Sequence, residues 1–164
     1  MADDANPPDL RADEERLAAI AQRLADEVDA VVARWIERLV VERVVQWRGE
    51  VSADVSADAR TAAEDAGAEV ATRMRDLLAT DVDEQRAGPL EVLRAATRHA
   101  HEVLAALGMP PVVRDEFAER SFPDDAYDLM PATWSDVDPA LHDPGIAWGA
   151  AKAFVHKARR RAQT

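Results

Sequence analysis

The sequence predicts an all-α fold, a single helical bundle of about five helices with a long segment rich in proline, aspartate and aromatic residues before the last helix. Three observations carry this. Apolar residues recur at intervals of three and four over long stretches, which is the period of one helix face. No stretch alternates apolar and polar residues for long enough to make a strand. Glycine and proline mostly punctuate the periodic stretches, at Gly49, Gly88-Pro89, Gly108 with Pro110-Pro111, and Asp143-Pro144-Gly145. The 164 residues suffice for one domain with its own core. Residues 1–8 read as a disordered polar tail and residues 9–162 as the single helical domain.

The first helix spans Asp9 to Trp47, where neither glycine nor proline occurs. Its stripe is Leu17, Ile20, Leu24, Val28, Val31, Trp35 and Leu39. A helix of this length would reach roughly 50 Å at 1.5 Å per residue, so a bend or break is expected. Past Val31 the stripe widens through Val32, Ile36, Val40, Val41, Val44, Val45 and Trp47. That half is either buried on two sides or carries a dimer face, and in the second case Trp35, Ile36, Val40, Val44 and Trp47 are the candidate interface of a homodimer or a protein partner. Gly49 ends the helix, and Ser52 or Ser56 caps the next. The second helix carries Val55, Ala59, Ala62, Ala66, Val70, Met74 and Leu77, an alanine-lined stripe that implies a close neighbour.

Pro89 opens a third helix with the stripe Leu90, Leu93, Thr97, Ala100, Leu104 and Leu107, stopped at Gly108. A short fourth helix is expected over 111–120, with Val112, Val113 and Phe117. The segment 121–143 follows, with turns of helix expected at 133–137 and 139–142.

The last helix is expected from Pro144 to Arg161, capped by Asp143. Ala147, Ala150, Ala151, Phe154 and Ala158 share a face that should meet the core. Gly145, Gly149 and Ala153 fall roughly opposite. Glycine within a helix costs about 1 kcal/mol against alanine, so Gly149 implies close approach, by another backbone of the fold in the favoured reading or by a ligand or partner lying against bare helix in the other. With both faces packed, this helix would thread through the bundle, and the 121–143 segment would pack over it. Trp148 and Lys152, four apart at the edge, are placed for a cation–π contact.

Composition narrows the function classes. Asp and Glu number 32 against 20 Lys and Arg, a net charge of −12. Such a surface repels nucleic acid and anionic lipid. The basic run at Lys157, Arg159, Arg160 and Arg161 complements the negative end of the helix dipole. There is no cysteine, which excludes disulfides and thiolate chemistry. No apolar run spans a bilayer, and the acidic start is not a signal peptide, so a cytoplasmic setting is expected with no membrane or nucleic-acid partner.

Three sets of residues invite chemistry. The first is the aspartate-rich segment, where Asp138, Asp143 and His142 are the candidate metal ligands, since hard cations take clustered oxygens. The spacing fits no EF-hand, and Asp138 and Asp143 both have the ordinary use of capping. The second is the histidines. His99 and His101, two apart on a helix, point in different directions and cannot share a metal as an i, i+4 pair does. No H-E-x-x-H or E-x-x-H occurs, and His142 is the histidine that sits beside Asp143 near the other aspartates. A haem ligand would be a single buried histidine, and nothing selects one. The third is a polar cluster of Arg94, Arg98, Arg114, Asp115, Tyr127 and Lys152. Converging beside Trp148, these residues would make an anion or small-molecule pocket, with Trp148, Lys152, Tyr127, Arg94 and Arg114 as its ligand-binding set. The competing reading is a set of structural ion pairs anchoring the proline-rich segment. Phosphate loops, dinucleotide-binding glycines and nucleophile elbows are absent.

Several pieces carry a family resemblance: Gly88-Pro89-Leu90-Glu91-Val92-Leu93-Arg94, Arg114-Asp115-Glu116-Phe117, Phe122-Pro123-Asp124-Asp125, Tyr127-Asp128-Leu129-Met130-Pro131-Ala132 and Trp148-Gly149-Ala150-Ala151-Lys152-Ala153. Together they resemble a set of uncharacterised, all-helical actinobacterial proteins over about the second half of the chain. The resemblance brings no activity and no site residues. The first half more loosely resembles helical sensor modules of bacterial stress and purine regulators. The resulting expectation is a non-enzymatic regulatory or adaptor module acting through protein contacts. A small-molecule, anion or haem sensor and a metal-dependent enzyme using the aspartates are the alternatives.

Overall fold

The computed structural model describes residues 9–114 and 122–164, and among these the architecture is all-helical. Helix α1 runs from Leu10 to Arg48, α2 from Ala53 to Ala79 and α3 from Pro89 to Ala106. A short α4 covers Trp134–Val137, a 3-10 turn covers Pro139–Leu141, and α5 runs from His142 to Ala162. The expected break in α1 does not occur. Its 39 residues form one helix of about 58 Å, against which α2, α3 and α5 all pack.

The stripes read from spacing become the core. Leu24, Val28, Val32, Trp35, Ile36, Val40 and Val44 of α1 are buried against Val55, Ala59, Ala63, Ala66, Val70 and Met74 of α2 and Leu93, Ala96, Ala100 and Leu104 of α3. Gly49 stops α1 with φ 81°, its N–H donating to the Val45 carbonyl at 2.8 Å. Ser52 caps α2 by accepting from the Val55 N–H at 3.3 Å. Gly108, at φ 73°, ends α3.

Two expectations fail here. The wide apolar face of α1 is not available to a dimer, because Trp35, Ile36, Val40 and Val44 lie inside the bundle, Trp35 only 1% exposed. The stripe is broad because α1 is contacted on several sides, by α2, α3 and α5. Trp47, at the end of this face, is half-buried, with the Arg48 guanidinium 4.1 Å from its ring. The fourth helix expected over 111–120 does not appear in its described part. Residues 111–114 have no helical structure, and the Val112 N–H donates to the Ala126 carbonyl at 2.9 Å. Asp115 and Phe117 lie outside the described residues, as does the 1–8 tail.

The segment 122–141 is fastened by arginines that donate to its main-chain carbonyls. Arg38 reaches Val137 at 3.0 Å, and Arg43 reaches Tyr127 and Asp128 at 2.9 and 3.0 Å. Arg94 reaches Pro131 and Ala132 at 2.9 and 3.2 Å, and Arg114 reaches Asp125 at 2.8 Å. The guanidinium fork suits this work, since its N–H groups diverge in one plane. Asp125, itself buried, accepts from the Met130 N–H at 2.7 Å, and Asp136 accepts from Ala132 and Thr133 at 2.9 Å each.

Candidate interaction surface

Helix α5 begins at His142, two residues before the expected start, so Asp143 and Pro144 lie in its first turn. Asp143 therefore acts on the helix dipole rather than as a cap. Proline is tolerated there because the first N–H groups have no partner inside the helix. Arg159, Arg160 and Arg161 occupy the last turn, where cations are favourable.

The face that α5 turns to the bundle is Pro144, Gly145, Trp148, Val155 and Ala158. This overturns most of the sequence expectation, although Ala158 is buried as expected. Ala147, Ala150 and Phe154, assigned to the core, are exposed, and Phe154 is 57% exposed. Trp148, assigned to an edge, is 7% exposed and belongs to the core cluster. Nor is α5 threaded through the bundle: it lies on α1, with further contacts to α4 and the 3-10 turn. The close approach expected at Gly149 occurs instead at Gly145, where the Trp134 ring fills the space a Cβ would need. A Cβ at Gly149 would meet nothing within 4 Å.

Polar contacts pin the flanks of α5. Arg159 donates to Glu14 at 2.8 and 2.9 Å and to Asp81 at 2.5 Å, joining the C-terminal end of α5 to the start of α1 and to the α2–α3 connection. The hydrogen bonds it donates to Glu14 and Asp81 raise the Arg159 pKa further. His156 Nδ1 lies 2.6 Å from Asp83. The Lys152 ammonium stands 5.2 Å from the Trp148 ring centroid, and burial pushes its pKa down from the ordinary value.

These contacts leave an outer face of Ile146, Ala147, Gly149, Ala150, Ala153, Phe154 and Lys157, all exposed. Ile146, Ala150 and Phe154 step by four and line up along the helix. On one side this face slopes into a groove of about 380 Å³ against the first turns of α1. Ala147, Ala150, Ala151 and Phe154 form one wall, and Ile20 and Arg16 belong to the other. The sequence held a signal for this surface, since Ala147, Ala150 and Phe154 were grouped correctly as one face. Ile146, Ile20 and Arg16 were missed, because their joining depends on how α5 lies on α1.

The ligand set expected from sequence does not assemble. Arg94 and Arg114 spend their donors on main-chain carbonyls, Arg114 also pairing with Asp128, and the Arg94 guanidinium sits 4.8 Å from the Phe122 ring. Tyr127 donates its hydroxyl to the Met109 carbonyl at 2.9 Å. Arg98, one turn along α3 from Arg94, pairs with Glu69 and Glu102. Trp148 faces α1 and the α2–α3 connection, with Lys152 over its ring. The structural anchoring weighed against an anion pocket is the arrangement found.

The metal candidates are likewise separated. Asp138 accepts from the Ala140 N–H at 2.9 Å and faces Arg34 at 3.7 Å, His142 meets the Ser135 hydroxyl at 3.2 Å, and Asp143 is exposed. Among the described residues no group of three or more His, Asp or Glu side chains is placed to hold a metal ion. Among the described residues the histidines with carboxylate partners are His156 and His99, the latter 2.6 Å from Glu69. Among the described residues no helix is long and apolar enough to cross a membrane.

No protein-family model, no curated protein and no solved structure matches the chain.

Proposed function

We propose that this chain is a non-enzymatic regulatory or adaptor module that binds a protein through the outer face of α5 and the adjoining groove on α1. One observation carries the reading: Ile146 and Phe154, 54% and 57% exposed, stand on one face of one helix above an apolar groove. Large apolar side chains gathered on one rim of a groove mark an interaction site more often than scattered ones do. The net charge of −12 favours a protein partner over nucleic acid or an anionic membrane, and a cytoplasmic setting accords with the composition. The sensor reading loses its support, because Arg94, Arg114 and Tyr127 are satisfied within the fold.

The test is site-specific crosslinking in cells. A photocrosslinking phenylalanine analogue in place of Ala150 should join the chain to a protein. The same analogue in place of the exposed Thr72 on α2 should not. F154E should abolish the Ala150 crosslink while leaving the melting temperature unchanged. Equal crosslinking at both positions, or none at Ala150, overturns the reading.

A further inference from the structure

We infer that the occupant of this surface is a second copy of the same chain, with two α5 helices packed antiparallel about Ala150. The inference rests on the interaction reading above and names its partner. The argument is one of symmetry and charge. A two-fold contact is self-complementary: each residue on one copy must suit the residue that the axis places against it. With the axis at Ala150, Ile146 and Phe154 stand four residues to either side, so each isoleucine meets the other copy's phenylalanine. Asp143 and Lys157 stand seven residues to either side, so each carboxylate meets an ammonium. Both are exposed, and neither takes part in the ion pairs of the described residues.

A parallel pairing lacks this agreement, since it would set Asp143 beside Asp143 and the basic last turns beside each other. The antiparallel one also lays each basic end, Lys157, Arg160 and Arg161, along the acidic entry of the other α5, which holds Asp136, Asp138 and Asp143. That local attraction offsets the repulsion between two bodies of charge −12. On the α1 wall of the groove, Arg16 sets a cation toward the incoming Asp143, and the Asp13 carboxylate on the same wall works against that attraction. At the axis, Ala150 has only a methyl group, which lets the helices approach at the short end of the usual 8–10 Å. A contact made by one helix pair is small, below about 1,200 Å² in total, so the dimer should dissociate on dilution.

The experiment uses the whole chain, purified, with light scattering and sedimentation across a concentration series. The expected result is a shift from 18.0 kDa toward twice that mass as concentration rises. F154E should weaken the dimer by about a hundredfold or more, as loss of a central aromatic anchor does. D143K and K157D should each weaken it by about three- to tenfold, and the double variant D143K/K157D should restore it, because each swap then meets its own counterpart. The chain has no cysteine, so A150C gives a single thiol at the axis, and its oxidation should yield a crosslinked dimer at concentrations where the dimer forms.

A chain that stays at 18.0 kDa, with A150C unreactive toward itself, overturns the second-copy inference. So does a dimer that F154E leaves intact or that the charge swap fails to restore. The in-cell Ala150 crosslink separates this failure from that of the interaction reading. A crosslink to a different protein removes the second copy and keeps the surface, whereas no crosslink removes both.

Discussion

The indole of Trp134 occupies the space that a Cβ on Gly145 would require. This contact joins α4 to the first turns of α5 and fixes where the helix meets the 122–141 segment. Its counterpart is Gly149, four residues on, which faces open space. The two glycines should therefore respond in opposite ways to alanine. G145A forces the indole or the helix to move, at a cost of about 1–3 kcal/mol, as overpacking does. G149A removes the conformational cost of glycine in a helix and should stabilise by about 0.5–1 kcal/mol. Chemical denaturation of both variants checks the pair. Destabilisation by G149A would show that its outer position is occupied.

Trp35 distinguishes a core from an interface. It is fully enclosed in the bundle, so W35A should cost about 3–5 kcal/mol in monomer stability. F154E, at an exposed position, should fall within about 0.5 kcal/mol of the parent at concentrations where the chain is monomeric. Unfolding curves recorded on dilute protein test both. A small effect of W35A there would mean that α1 is not buried as described.

The Arg94 fork predicts a local loss of order. R94A removes two charge-assisted hydrogen bonds to the Pro131 and Ala132 carbonyls, and each such bond contributes about 1.5–3 kcal/mol. R94K keeps the charge and loses the planar pair of donors, so it should rescue little. Hydrogen exchange should show lost protection in residues 126–137 of both variants while the α1–α3 core keeps its protection. Loss spread evenly over the whole chain would contradict a local clamp.

Glu69 gives a pH dependence with a definite sign. A hydrogen bond from His99 is the largest influence lowering its pKa below the ordinary value of 4.5, with Arg73 and Arg98 acting in the same direction. A carboxylate depressed in the folded state contributes stability above its unfolded pKa, and that contribution is lost as pH falls through the folded value. The parent should therefore be more stable than E69Q at pH 6, and the difference should shrink as pH is lowered from about 4.5 toward 3. Melting temperatures of the two proteins across that range check it. A gap that widened on acidification would reverse the assignment.

The helices were legible because their evidence is one-dimensional. Leu24, Val28 and Trp35 recur at the helix period, and Gly49 and Gly108 stop their helices at the positions read from sequence. The α5 orientation was not legible for a physical reason. Alanine differs little in burial energy between core and surface, so counting Ala147, Ala150 and Ala151 as apolar gave the wrong face weight. The larger area of Trp148 decides which side is buried, and Gly145 permits it by leaving room for Trp134. The arginine clamps were hidden for another reason. Their acceptors are main-chain carbonyls, which every residue carries and no sequence pattern marks. Arg94 and Arg114 could be singled out, but their partners could not be.

Those clamps have a consequence for how the chain can change. Arg38, Arg43, Arg94 and Arg114 grip the 122–141 segment by its backbone, and only Arg94, over Phe122, and Arg114, paired with Asp128, also touch its side chains among the described residues. Substitutions at Met130 or Asp124 would leave the grip in place, whereas loss of one arginine would loosen the segment whatever its composition. The segment is thus a cassette held in a frame: its exposed letters can be rewritten, while these four guanidinium groups and its buried Tyr127, Leu129, Val137 and Leu141 stay fixed.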